Sequence, residues 1–489
     1  MKHTILTLTF FTAALATFAQ SASDALRYSY LQPSGSARYV GAGGAFGALG
    51  ADFGALSQNP AGTAMFRSSE LVLTPALRFT NTEARLAGSP SIDDDKSNFG
   101  FDNVGLVFHT TPSGPRWKTF NFAIGLNSQN NYNQSVFYQG SANGSIMNGF
   151  FADAQSTLNG GGSLDDLYAF GSGLAYDANA IYYQNGVLTS DFEAMPNAVV
   201  ERSHTLVTSG KMNEMAFSFG GNYDEVLMVG ATIGVPFVNY RIEGEYIESD
   251  PGEAVEYFDQ LTYTEFLRTE GVGVNLKMGM IYKPMQALRL GLAFHTPTAL
   301  RLTDTYNNSF TYDYTDGNGS YSGETQTSPD GVTDYRLRTP WRASASAAVV
   351  VKKFGFLSAD VEVVDYSANR FNMTADVSSQ ENELFERALN SDLQRDYKQT
   401  MNVRLGGEAA LDKFRLRAGL NLLGKPQEGE SGFNTAYTAG LGVRGESFYF
   451  DLGYRRSTGD GSVRPYADAP VASTSRVSND VVVTLGFKF

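Results

Sequence analysis

From Arg336 to Val349, charged or polar residues alternate with apolar ones. Arg336, Arg338, Arg342, Ser344 and Ser346 share one parity, and Leu337, Trp341, Ala343, Ala345, Ala347 and Val349 the other. Successive side chains of an extended chain point to opposite faces, so this parity makes a ladder of guanidinium groups. Guanidinium stays charged and can form two parallel bonds to a carboxylate or phosphate. Arg338, Arg342 and Arg404 are therefore candidates to hold the carboxylate head group of a ligand. Asp360 and Glu362, on the next such segment, compete as wall partners for the same arginines. The N-terminal stretch Asp24–Pro33, DALRYSYLQP, supplies Tyr28, Tyr30 and Leu31 as candidate apolar ligand contacts, if it reaches an enclosed space.

Other chemistry finds less support. Gly41-Ala42-Gly43-Gly44 has no strand–turn–helix unit around it and no following Lys-Ser/Thr, which argues against a nucleotide loop. There is no Gly-x-Ser-x-Gly elbow. His109, His204 and His295 lie far apart in sequence, so a Ser/His hydrolase is the weakest reading; His295 is the one expected on the charged face. The acidic runs Asp93-Asp94-Asp95, Asp165-Asp166 and Asp313 to Asp316 lack metal-ligand spacing and read as solvated loops. No catalytic residue, metal or cofactor is expected. A net charge of −14 argues against nucleic acid.

The elements that position these residues follow from export and composition. Residues 1–19 read as a secretory leader: Lys2 and His3, an apolar run from Ile5 to Phe18, and Thr17-Phe18-Ala19 before Gln20. The 489 residues include no cysteine, so no disulfide staples an exported fold. No later apolar run is long enough for a spanning helix. A closed β-barrel is the other structure that satisfies its backbone in lipid, and one face of each strand can be polar. The 51 glycines and 42% hydrophobic residues suit it.

Alternation and turn residues predict fourteen strands between Ser69 and Phe489. From the fourth strand on, connections alternate between tight turns, such as Asp224-Glu225, Asp412-Lys413 and Gly445-Glu446, and long polar segments. Short turns at one end and long loops at the other are the rule for outer-membrane barrels. A ladder of arginines cannot face lipid, so the charged parity is assigned to the lumen. Lys277, Arg289, Glu408, Arg415, Arg417, Asp451 and Asp480 join it there. Counting back from the Asp412-Lys413 turn sets Glu408 opposite Arg417 as a lumen ion pair. In the fifth strand a phase slip near Pro236 is expected, turning Tyr240, Ile242 and Tyr246 outward with Val229 and Ile233. Helices are expected in the loops at Ser145–Leu158, Leu164–Tyr176 and Gln380–Gln394.

Before the first strand, Ser36–Phe66 is rich in Gly and Ala and ends in Asn59-Pro60-Ala61. Small residues suit backbone packed in a confined space, which suggests a plug. The order Ser-Ala-Arg, Gly/Ala run, Asp, Asn-Pro-Ala-Gly resembles the N-terminal hatch of the FadL/TodX family of outer-membrane transport proteins. Thr339–Val351, Phe356–Ser367, Asn402–Leu420 and the closing VVVTLGFKF resemble its late strands. The resemblance implies an all-β transmembrane antiparallel barrel of about fourteen strands with an N-terminal hatch in its lumen. Residues 1–19 would be the leader, 20–68 the hatch and 69–489 the barrel. It further implies passive uptake of hydrophobic small molecules, such as long-chain fatty acids or aromatic hydrocarbons, across the bacterial outer membrane. The expected partners are a lipophilic ligand and outer-membrane lipid, and the expected state is a monomer. Asn59, Pro60 and Ala61 would form the gate. The alternative is a receptor or structural barrel that binds a partner through its outer loops.

Overall fold

The computed structural model describes residues 21–489 apart from Pro33, Gly317 and 374–378; the expected leader lies outside the described residues. Fourteen antiparallel wall strands close on themselves. They are β1 (Glu70–Leu86), β2 (Ile92–Thr110), β3 (Trp117–Asn131, continued by Gln134–Asn143), β4 (Val199–Tyr223), β5 (Leu227–Ser249), β6 (Phe258–Tyr282) and β7 (Leu288–His295, then Ala299–Asp316). β8 (Gly331–Arg338, then Arg342–Val351), β9 (Gly355–Asp365, continued by Arg370–Asn372), β10 (Gln399–Leu411), β11 (Phe414–Gly424), β12 (Phe433–Arg444), β13 (Phe448–Val463) and β14 (Ala472–Lys488) complete the ring. β14 pairs with β1, from Glu70↔Lys488 to Leu86↔Ala472.

The tight turns gather at one end, here the turn end. Asp224 and Glu225 take positive φ (51° and 59°), as does Asp412 (52°), a conformation that short polar side chains tolerate best. The opposite, loop end carries α3 (Ile146–Asn159), α4 (Ser172–Asp177) and α5 (Gln380–Asp396). The helix expected over Leu164–Tyr176 is broken: only Leu164–Asp166 and α4 form, separated by the Gly171-containing turn. α3 is fastened to the barrel by buried Glu248 of β5, which accepts from Ser145 Oγ, the Ile146 amide (3.1 Å) and Tyr246 (2.7 Å).

Outward side chains make an apolar band, including Leu77 and Phe79 of β1, Ile233 and Phe237 of β5, Leu416 of β11 and Phe487 of β14, all exposed. Inward parity carries Lys277, Asp360, Glu362, Arg404, Arg417, Asp451 and Asp480, all buried.

Two face assignments are corrected. β5 alternates without a slip: Glu214↔Pro236 and Met212↔Val238 continue one register, and Tyr240 and Tyr246 point inward and are buried. Pro236 keeps its register with β4 and interrupts only the pairing to β6. The slip occurs instead in β8. Tyr335 and Leu337 are buried, Arg336 and Arg338 are exposed, and after Thr339-Pro340 the parity reverses, so Arg342 and Ser346 are buried. β7 breaks at the same height, at Thr296-Pro297-Thr298, so the two strands change phase together and the register resumes at His295↔Arg342.

Candidate functional site

The N-terminal segment fills the lumen. Nearest the turn end, α2 (Ala37–Gly41) and the turns after it pack backbone to backbone on the wall. Asn59 is 1% exposed; its Nδ2 donates to Gly47 O (2.6 Å) and to Met280 O of β6 (3.3 Å), and its Oδ1 caps the Ala61 amide (3.1 Å). Pro60 then starts the 3-10 turn Pro60–Met65, where its missing N–H costs nothing. Gly279 lets this corner touch the wall: a Cβ there would overlap the Asn59 amide oxygen. Asp360 of β9 accepts from the Gly47 amide (3.1 Å) and Gln58 Nε2 (2.6 Å), and His295 contacts Gln58 O (2.9 Å). His295 is thus a plug contact, with no serine bonded to it among the described residues.

Arg417 Nε lies 2.7 Å from Glu408 Oε2, in the register Glu408↔Arg417, and its Nη1 lies 2.7 Å from Asp451. Arg38 of the plug reaches the same Glu408 at 3.3 Å.

Above the plug, α1 (Ala22–Ser29) lies in a chamber of wall side chains: Tyr132, Met212, Val238, Tyr240, Leu300, Leu302, Tyr335 and Leu337, roofed by Leu389 and Leu393 of α5. Tyr28 meets Tyr132 and Tyr240 edge to face (6.3 and 6.4 Å), and Tyr30 packs on Tyr366 (5.8 Å). Arg27 pairs with Asp24 and lies 4.1 Å over the Tyr240 ring. Beneath α1 a cavity brings together Tyr28, Leu31, Lys277, His295, Arg342, Glu362 and Arg404.

Of the candidate clamp, Arg342 and Arg404 share this cavity, but both are held by Glu362, at 3.2 and 3.3 Å. Arg342 also donates to Ser29 O. Arg338 does not join them; it stands on the outer face, beyond the β8 phase change. Tyr30 accepts from Asn434 (3.1 Å), which lines a second cavity.

That second cavity contains a residue the sequence reasoning missed. Arg476 of β14 lines it together with Gln32, Arg404, Arg455 and Asn434. It also lines a third space with Arg78, Asn130, Asn133 and Asp480. Arg78 pairs with Asp102, and Arg455 with Asp480 at 2.6 Å. Half-buried Arg476 makes no ion pair or hydrogen bond among the described residues. Its signal was available: it shares parity with Asp480, four residues on.

The third space lies behind an interruption in the wall. β2 pairs with β3 only over Asn103–Thr110 and Phe120–Asn127. Beyond Asn103, which bonds Asn127 (2.6 Å), β2 pairs with β1 alone, and β3 continues inward with Val136 and Tyr138 packed on Ala84 and Leu86. The plug is laced to the displaced strand: Gln32 N donates to Gln129 O (3.0 Å) and Ser34 N to Ser128 O (3.1 Å).

No protein-family model and no curated protein matches the chain. Its structure is similar to a FadL homologue of Pseudomonas aeruginosa, with a TM-score of 0.55 at 14% identity over 94% of this chain and 100% of that one. It is also similar to the toluene transporter TodX of Pseudomonas putida, with a TM-score of 0.51 at 14% identity over 92% and 97%. The chain therefore has the fold of these proteins, in agreement with the resemblance read from its residues.

Proposed function

We propose that this protein is an outer-membrane channel for passive uptake of lipophilic small molecules, with its turn end in the periplasm. The apolar band would lie in the bilayer, and the closed wall satisfies the backbone there. The observation that carries the reading is the aromatic and aliphatic chamber above the plug. A lumen of charged residues has no structural need for Tyr132, Tyr240, Leu300 and Leu302 to converge, and α1 now occupies them with Tyr28, Tyr30 and Leu31. A ligand would enter between the loops, displace α1, and pass Arg476 to the interruption between β2 and β3. The ladder break gives the sideways route its support. The membership in the FadL/TodX family and the substrate class, fatty acid or aromatic hydrocarbon, belong to this proposal.

The test is uptake into proteoliposomes of a panel of lipophilic compounds, including a long-chain fatty acid and its methyl ester. Uptake of the ester supports the chamber as the carrier of affinity. A preference for the acid that disappears in Arg476→Gln places the head group on Arg476, whereas Arg342 and Arg404 already share Glu362. Equal transport of acid and ester by the unaltered protein removes any carboxylate clamp.

A second reading has one observation in its favour. The plug is sealed to the wall at the turn end, and the loops form their own core, with Met147, Phe192 and Leu261 buried. A barrel that binds a partner through this cap and transports nothing would look the same, and would fail the uptake test with every compound.

A further inference from the structure

The outer face changes character along one line on β5 to β9. It is apolar up to Phe237 of β5, Val272 of β6 and the stacked pair Phe294 and Trp341 (6.1 Å) of β7 and β8. On β7, β8 and the continuation of β9 the outward apolar run ends at Arg301, Arg336, Arg338 and Arg370, all exposed, with Arg301 in the ladder row of Phe237 and Val272. The register sets Arg301 directly opposite Arg336, and Arg338 directly opposite Arg370. Like charges directly opposite in a ladder repel, so two such pairs on adjacent strands call for a counter-charge.

For Arg301, Arg338 and Arg370 the described residues supply no carboxylate partner. Asp334 and Asp365, the nearby acids, accept from Thr303 (2.5 Å) and Ser367 (2.6 Å). Arg301 and Arg338 make no ion pair or hydrogen bond among the described residues, and Arg370 donates only to the carbonyls of Ser367 (2.7 Å) and Asn369 (2.6 Å). The contrast is on the same barrel. Arg241 and Arg268 also face each other across β5 and β6, and each pairs with an acid two residues along, Glu243 and Glu270.

We propose that Arg301, Arg338 and Arg370 bind the phosphate of an anionic lipid in the leaflet at the loop end. The proposal rests on the reading that the apolar band spans a bilayer. The cluster lies where that band ends, at the height of the head groups, and guanidinium matches phosphate with paired bonds.

Trp341 stands three residues from Arg338 and is also exposed, and Trp117 is the only other tryptophan. The test uses full-length protein carrying Trp117→Phe, in phosphatidylcholine vesicles with a small fraction of brominated phosphatidylglycerol or of brominated phosphatidylcholine. The phosphatidylglycerol should quench Trp341 about twofold more, because basic residues at the surface enrich anionic lipid. The excess should vanish in R301Q/R338Q/R370Q that retains the heat-modifiable mobility of a folded barrel, and should survive inorganic phosphate in the buffer. Equal quenching by the two lipids, an unchanged excess in the triple variant, or its removal by inorganic phosphate would overturn the lipid site. Absence of quenching by either lipid would overturn the membrane reading itself.

Discussion

The level of the plug and the lumen above it differ in how their charges are met. Around the plug Arg417 is shared between Glu408 and Asp451, Arg38 joins Glu408, and one oxygen of Asp360 accepts from both Gly47 and Gln58. Above it, Arg476 on β14 and Glu265 on β6 make neither an ion pair nor a hydrogen bond among the described residues. Packing differs in the same sense. The plug meets the wall through glycine and backbone, whereas α1 meets the chamber through large side chains. In the proposed channel the close backbone contacts would serve the seal and the larger side chains the binding space, two tasks divided by height in one lumen.

The largest effect should come at the boundary between these levels. Glu362→Leu strands Arg342 and Arg404 without their acid, and loss of one partner from a buried ion cluster costs about 3–5 kcal/mol. The denaturant midpoint of the folded, heat-modifiable form should drop accordingly; an unchanged midpoint would show that the two levels are not bridged by charge. Next, Gly279→Ala forces Asn59 from its seat, and overpacking of this kind costs about 1–3 kcal/mol. Ion conductance in planar bilayers should rise while fatty-acid binding to the purified protein stays the same. Conductance at the wild-type level would mean that the seal does not depend on this corner.

Asn59→Ala tests the same latch by deletion. Loss of a capping Asn costs about 0.5–2 kcal/mol, and here the bonds to Gly47 and Met280 go with it. Folded mobility should be kept and uptake changed; unchanged uptake would reduce Asn59-Pro60 to a turn where the chain enters the wall.

The smallest effect lies in the loops. Asp191 is raised above the ordinary carboxylate range by burial, against the hydrogen bonds of Tyr312 (2.6 Å) and Tyr182 (2.7 Å), with Glu256 adding to the rise. A carboxyl whose folded pKa is raised costs stability while ionised, and the cost is relieved as pH falls through the raised value. Proteolysis of the 144–198 loop should therefore slow modestly on mild acidification. Asp191→Asn should remove the pH dependence, and an equal dependence in the variant would place the titrating group elsewhere.

Much of the wall was legible because turn chemistry and period-two alternation act locally: the Asp412-Lys413 turn alone fixes Glu408 opposite Arg417. The chamber was not, because an apolar inward residue and a lipid-facing one look alike in sequence. Tyr240 and Tyr246 seemed to belong outside, and a slip at Pro236 was needed to put them there. Proline has no fixed meaning for phase. Pro236 is carried by its intact pairing to β4, while Pro340 breaks β8 opposite a matching break in β7, which moved Arg338 to the outside. The extra length of β3 and β4 and the ladder break at Asn103 depend on partners distant in sequence.

One contact of the plug bears on how the chain assembles. The Ala37 amide donates to Thr484 of β14 (2.7 Å), and β14 is also the strand that pairs with β1. The first and last segments of the chain must therefore meet twice, once in the lumen and once in the wall. A plug outside the ring at closure could enter only by reopening that seam or threading an end of the barrel. Insertion of the plug thus belongs before or during closure, and long-range pairing of this kind is slow because the intervening chain must be ordered first. A machine that folds this barrel would have to keep the β1–β14 seam open until residues 22–66 are inside.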